Sequence, residues 1–166
     1  MDLKSVITGA AGAIAVRSML PRLLKLKFDR DVAKLNAGDY EPLLAAYDED
    51  AVLRFNDGDH RWSGTWSGKR AIDVFLRNFT AARVQGRIRE IAISGPPWAL
   101  RLFVRFDDYA DTSDGERLYE NRTVLVFQTR WGRLIDQEDF YVDTGGIELL
   151  ERRLAERGVE AIPKPG

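Results

Sequence analysis

Four acidic side chains, Asp136, Glu138, Asp139 and Asp143, fall within WGRLIDQEDFYVDT, a run from Trp131 to Thr144 whose other residues suit a β-strand. Acids are depleted in strands because they pack poorly on a pleated, half-buried surface. A carboxylate kept among aromatic rings has its charged form disfavoured, which is how a carboxyl group comes to give and take a proton near neutral pH. Side chains alternate along a strand. Asp139 therefore shares a face with Ile135, Gln137 and Tyr141, while Asp136 and Glu138 point the other way, toward solvent. Asp139 is the candidate acid/base.

Other chemistries are limited by composition. The chain has no cysteine and one histidine, so disulfides, thiolate sites and His-rich metal sites are excluded. His60 falls in a polar stretch without a nucleophile elbow, and it is expected on an exposed loop. Apolar residues make up 45% and charged residues 31%, as in a soluble globular protein. The 25 Lys and Arg against 26 Asp and Glu lack the basic excess of a nucleic-acid binder. Val6 to Val16 is uncharged but too short to span a membrane. It is expected to form a helix that packs on the domain or a neighbour. The basic stretch after it, with Arg17, Arg22, Lys25 and Lys27, leaves an interfacial membrane helix as the alternative. A cytoplasmic location is expected.

The elements that must position Asp139 follow from periodicity. Pro21 can open a helix with Leu24, Phe28, Val32 and Leu35 on one face, ended by Asn36 and Gly38. Asp39 is expected to cap a short helix carrying Leu43, Leu44 and Tyr47. Ala51 to Phe55 reads as a strand and Asn56 to Gly68 as a loop. Ile72, Phe75, Leu76 and Phe79 mark an amphipathic helix. Strands are predicted at about 87–94, 98–108, 117–130 and 133–142, with turns between them. A last helix carries Ile147, Leu150 and Leu154 and stops at Gly158. This order predicts an α+β fold with helices on one side of a curved, mainly antiparallel sheet. Residues 1–20 are expected to form a helical extension, 21–158 the domain and 159–166 a tail. Strand 98–108 is apolar on both faces, with Leu100, Leu102 and Val104 on one and Phe103 on the other. A second copy covering the outer face, a homodimer through the sheet, is the expected partner.

LNAGDYEPLLAAYDEDAVLRF (Leu35 to Phe55), SGTWSGKRAIDVFLRNF (Ser63 to Phe79), DGERLYENR (Asp114 to Arg122) and RWGRLIDQEDFYVDT (Arg130 to Thr144) resemble, in that order, the nuclear transport factor 2-like superfamily. The resemblance implies a cone: a strongly curved sheet wrapped round helices, with a pocket at its open end. Enzymes of the superfamily include steroid isomerases, polyketide cyclases of the SnoaL type and limonene-type epoxide hydrolases. The isomerase base and oxyanion-hole positions fall at Phe55, Asp31 and Thr123 or Leu125, so that set is missing. The hydrolase pattern implies Arg105, Asp107 and Asp139 as the catalytic group, although its water-holding positions are Leu53 and Phe55. The cyclase pattern implies Asp139 alone. The cone interior would then receive Tyr141, Asn121, Thr123, Leu53 and Phe55 beside it. The resemblance implies neither a metal nor an organic cofactor. The expected function is binding of a small apolar, oxygenated ligand, with acid/base turnover at Asp139. The alternatives are a non-catalytic ligand-binding or dimerisation module and the epoxide hydrolase.

Overall fold

A computed structural model describes residues 22–165, so the expected helix over residues 1–20 lies outside the described part. Helix α1 runs through residues 22–36 and α2 through Glu41–Ala46. Strands β1 (Tyr47–Phe55) and β2 (Gly64–Ser67) follow, then α3 (Lys69–Ala81). Strands β3 (Val84–Ser94), β4 (Arg101–Asp111), β5 (Arg117–Arg130) and β6 (Arg133–Tyr141) lead to α4 (Thr144–Glu156). The strands form one six-stranded sheet in the order β2-β1-β6-β5-β4-β3. Every neighbouring pair is antiparallel except β1 and β6, which run parallel. This is the curved α+β sheet that the resemblance implied.

Two local expectations need correction. Tyr47 starts β1 instead of ending a helix, and Asp39 does not cap α2, whose N-cap is Tyr40 without a side-chain bond. Four residues of the expected loop, Gly64–Ser67, pair with β1 as β2. Trp66 there is fully buried and packs edge-on to Phe75. Its burial outweighs the turn-forming Gly and Ser around it.

Parity along the long strands decides what faces the cone. On β4, Leu102, Val104, Phe106, Asp108 and Ala110 point inward and are buried, while Arg101, Phe103 and Arg105 are exposed. Gly86 of β3 lets the Phe106 ring fold across the neighbouring strand, because a methyl group there would fall inside that ring. α3 puts Ile72, Phe75 and Leu76 into the core and α4 adds Ile147, Leu150 and Leu154. The tail is tied down: Asn78 of α3 exchanges two 2.9 Å hydrogen bonds with the backbone of Ile162.

Candidate functional site

β6 delivers Gln137, Asp139 and Tyr141 to the inside of the cone, as strand alternation requires. Asp139 is 7% exposed. Its Oδ1 accepts a 2.7 Å hydrogen bond from Gln137 Nε2. Gln137 Oε1 in turn accepts from the hydroxyl of Tyr47, the fully buried first residue of β1. Tyr47 therefore fixes which way the amide points, and the amide fixes Asp139. Burial pushes the Asp139 carboxyl up from 3.8 to about 7; the Gln137 bond opposes this, and the charges of Asp108 and Glu138 add to it. Burial and the neighbouring Asp139 charge hold the Tyr47 hydroxyl well above its ordinary 10, so it stays a donor.

Asp139 borders a cavity of about 70 Å³. Its walls are mainly apolar, from Phe28 and Val32 of α1, Leu53, Phe75, Phe127 and others. Such a volume holds a few waters or a small ligand. Tyr141, the next inward residue on β6, also lines it, and its ring lies tilted against Phe55 with centroids 4.7 Å apart.

A second buried acid, Asp108 on β4, was not singled out from the sequence. Its carboxylate accepts from Tyr119 Oη at 2.9 Å and Thr123 Oγ1 at 3.3 Å. Burial raises it from 3.8 to about 6 against those two hydrogen bonds. Asp108 and Tyr119 line a smaller cavity of about 10 Å³ that shares Tyr141 and Phe79 with the first. The signal for Asp108 was its parity with Leu102, Val104 and Phe106.

The remaining candidates separate. Arg105 and Asp107 lie on the outer face and are not brought to Asp139. Arg105 is 3.7 Å from Glu90, and Asp107 pairs with Arg89. The inward run of Leu102, Val104 and Phe106 forces them out, because the bulge near Ile88 is on β3 and leaves β4 regular. The hydrolase-like trio is thus not assembled. Leu53 lines the main cavity and Phe55 the smaller one. Thr123 serves Asp108. Asn121 lines neither cavity: it donates to Asp143 O at 2.7 Å and accepts from Asp143 N at 3.1 Å, holding the chain as it enters α4. His60 is buried against Phe55 and Trp62, contrary to the exposed loop expected. Burial lowers its pKa, opposed by acids that include Glu151 and Glu148.

Gln137→Leu is expected to move the Asp139 titration above 7. The variant loses the hydrogen bond that favours the charged form and keeps the burial. Carboxyl NMR across pH 4–9 measures it, and an unchanged or lower midpoint would show that Gln137 does not hold Asp139.

The SnoaL-like domain family matches residues 29–137. No curated protein matches the chain significantly. Among solved structures, Bal32a from a soil-derived mobile gene cassette is 23% identical with a TM-score of 0.58, covering 75% of this chain and 93% of that one. A polyketide cyclase assigned provisionally in Xanthomonas campestris is 18% identical with a TM-score of 0.52, covering 71% and 89%. SalBIII, an epoxide hydrolase/cyclase-like enzyme of pyran ring formation in the polyether salinomycin, is 16% identical with a TM-score of 0.56, covering 74% and 92%. These likenesses show a shared fold. With its order of elements, its curved sheet and the match over residues 29–137, the chain belongs to the SnoaL-like domain family.

Proposed function

We propose that this SnoaL-like domain binds a small, apolar, oxygenated molecule and moves a proton on it through Asp139, without a cofactor. One observation carries the reading: a carboxyl group buried in an apolar cavity, with a pKa raised to about 7. Near neutral pH such a group is present in both protonation states, so it can take a proton from one atom and return it to another. Gln137 occupies Oδ1, which leaves Oδ2 for the exchangeable proton and the ligand. Apolar walls favour a hydrocarbon skeleton, and a carbonyl or hydroxyl oxygen would be the group placed at Asp139. The names of the cyclase and cyclase-like neighbours are consistent with chemistry of this kind.

The 70 Å³ cavity favours a second reading, a binding module without turnover. Pockets for drug-sized ligands occupy roughly 300–1,000 Å³. A multi-ring ligand would need Phe28 and Val32 to give way. Displacement of an apolar fluorescent dye by oxygenated polycyclic compounds, followed by turnover assays on those that bind, separates the two. Proton exchange or rearrangement lost in Asp139→Asn, with dye binding kept, supports catalysis. Ligands that bind and never react sink it.

We further propose a homodimer through the outer sheet face. Arg105, Val124 and Phe140 lie in one cross-strand row there, and Phe103 and Glu138 flank it. The exposed apolar residues, with both charge signs beside them, suit a face that pairs with itself. Sedimentation should give twice the chain mass, reverting to the monomer in Val124→Glu; a monomeric native chain rejects it.

A further inference from the structure

Two exposed tryptophan side chains sit together at one end of the sheet. Trp98 and Trp131, 53% and 78% exposed, lie with ring centroids 6.4 Å apart where the β3–β4 and β5–β6 connections meet. A backbone hydrogen bond from Trp131 N to Trp98 O fixes the pair. Large apolar rings held together in water are a recurrent mark of an interaction site.

α1 reaches the same end. Near its C-terminus Asn36 exchanges two 2.9 Å hydrogen bonds with Gly86, which pairs with Asp108 of β4. Two turns earlier, Phe28 packs 5.9 Å from Phe127, which pairs with Leu102. The helix therefore runs, from its C-terminus back, along β4 from Asp108 toward Leu102. At 1.5 Å per residue, residues 22–26 continue about 9 Å farther, toward Trp98 and Trp131. Leu24 and Phe28 pack on the core, while Leu23 and Leu26 are 56% and 66% exposed.

On α1, Lys25 pairs with Asp29 at 2.6 Å and Lys27 with Asp31 at 2.5 Å, and Asp48 follows Tyr47 beside Leu134. The basic excess at this end comes from Arg22 and from Arg101, Arg130 and Arg133 at the strand ends, with no acid from 97 to 106 or 121 to 135. The whole chain nevertheless has a net charge of −1. The sequence before α1 continues the pattern, with apolar Val6 to Val16, Arg17 and no acid from Val6 to Arg22.

We propose that this end docks on an anionic bilayer surface, with Trp98, Trp131, Leu23 and Leu26 in the headgroup zone and Arg22, Arg101, Arg130 and Arg133 supplying the positive charge toward lipid phosphates. Tryptophan is enriched at membrane–water interfaces because its ring is apolar and its N–H is polar. Basic residues are drawn to the negative surface potential of anionic lipids. Surface docking is the mode proposed, since no helix among the described residues is long and apolar enough to cross a membrane. Phe28, Val32 and Phe127, which wall the main cavity, lie beside this end, so an apolar ligand could pass from the bilayer to the cone with little exposure to water. The proposal does not depend on proton transfer at Asp139.

The test is flotation of the full chain with vesicles of phosphatidylcholine, with and without phosphatidylglycerol. Binding is expected only with phosphatidylglycerol, weakening as salt screens the charges. Trp98→Ser/Trp131→Ser should weaken it by about tenfold or more, and Leu26→Glu should weaken it as well. Both changes are at exposed positions, so circular dichroism and melting should match the native chain. No flotation with anionic vesicles would overturn the proposal, as would binding undiminished in the double variant. So would loss of self-association in the double variant without lipid, which would make a second copy the occupant.

Discussion

Asp139→Asn is expected to be more stable than the native chain at pH 8, by on the order of 4 kcal/mol. The sign follows from proton counts. Below its ordinary 3.8, the carboxyl is protonated in both the folded and the unfolded chain and contributes no difference. Between 3.8 and about 7 the unfolded chain has released the proton and the folded chain retains it. Stability therefore falls as pH rises through that window and levels off above it. Asparagine fills the same space, can still accept from Gln137 and carries no charge to desolvate. Urea unfolding at several pH values should show the native decline flattened in the variant. The same change should lower any proton-transfer activity by about 10²–10⁴-fold, the usual contribution of a positioned acid/base. A variant less stable than the native chain at pH 8 would make Asp139 a structural residue.

Arg61→Ala is expected to cost about 3–5 kcal/mol, the loss typical when one partner of a buried ion pair is removed. The Arg61 side chain is 1% exposed and makes 2.8 Å and 3.0 Å bonds to the two oxygens of Glu151 on α4. It also donates to the Val159 and Glu160 carbonyls of the tail. Its removal leaves Glu151 without its counter-charge and those carbonyls without a donor. Burial alone would raise Glu151, but the hydrogen bonds from Arg61 outweigh it and hold the carboxyl below 4.5. That contribution is present above pH 4.5 and is lost as pH falls through the lowered folded value. The variant should lack this acid-side dependence as well as unfolding earlier in urea. A loss under about 1 kcal/mol would put the pair among solvated surface bridges.

Much of this architecture was legible because it rests on local periodicity. Leu24, Phe28, Val32 and Leu35 read as one helix face, and Ile72, Phe75 and Leu76 as another, and both pack inward. Parity on β6 similarly placed Asp139 and Tyr141 on one face. On β4 the same parity pointed to Asp108, and the resemblance to hydrolases drew attention to Arg105 and Asp107 instead. Strand alternation was the stronger guide, since one inward Phe106 turns both neighbours outward. Other features depend on distant partners. Asn121 is committed to Asp143, and His60 is buried by Phe55 and Trp62, contacts that no spacing within the loop announces. Gln137 lies two residues before Asp139 and shares its face, but its role appears only with Tyr47, 90 positions away, bound to it.

The pH-dependent stability and the acid/base role of the site both require Asp139 to hold its proton inside the folded cone to nearly neutral pH. Carboxyl ¹³C NMR reads that directly, with Asp139→Asn assigning the resonance. The expected midpoint for Asp139 in the folded chain is about 7. A midpoint near the ordinary 3.8 would contradict it and remove the acid/base reading of the site.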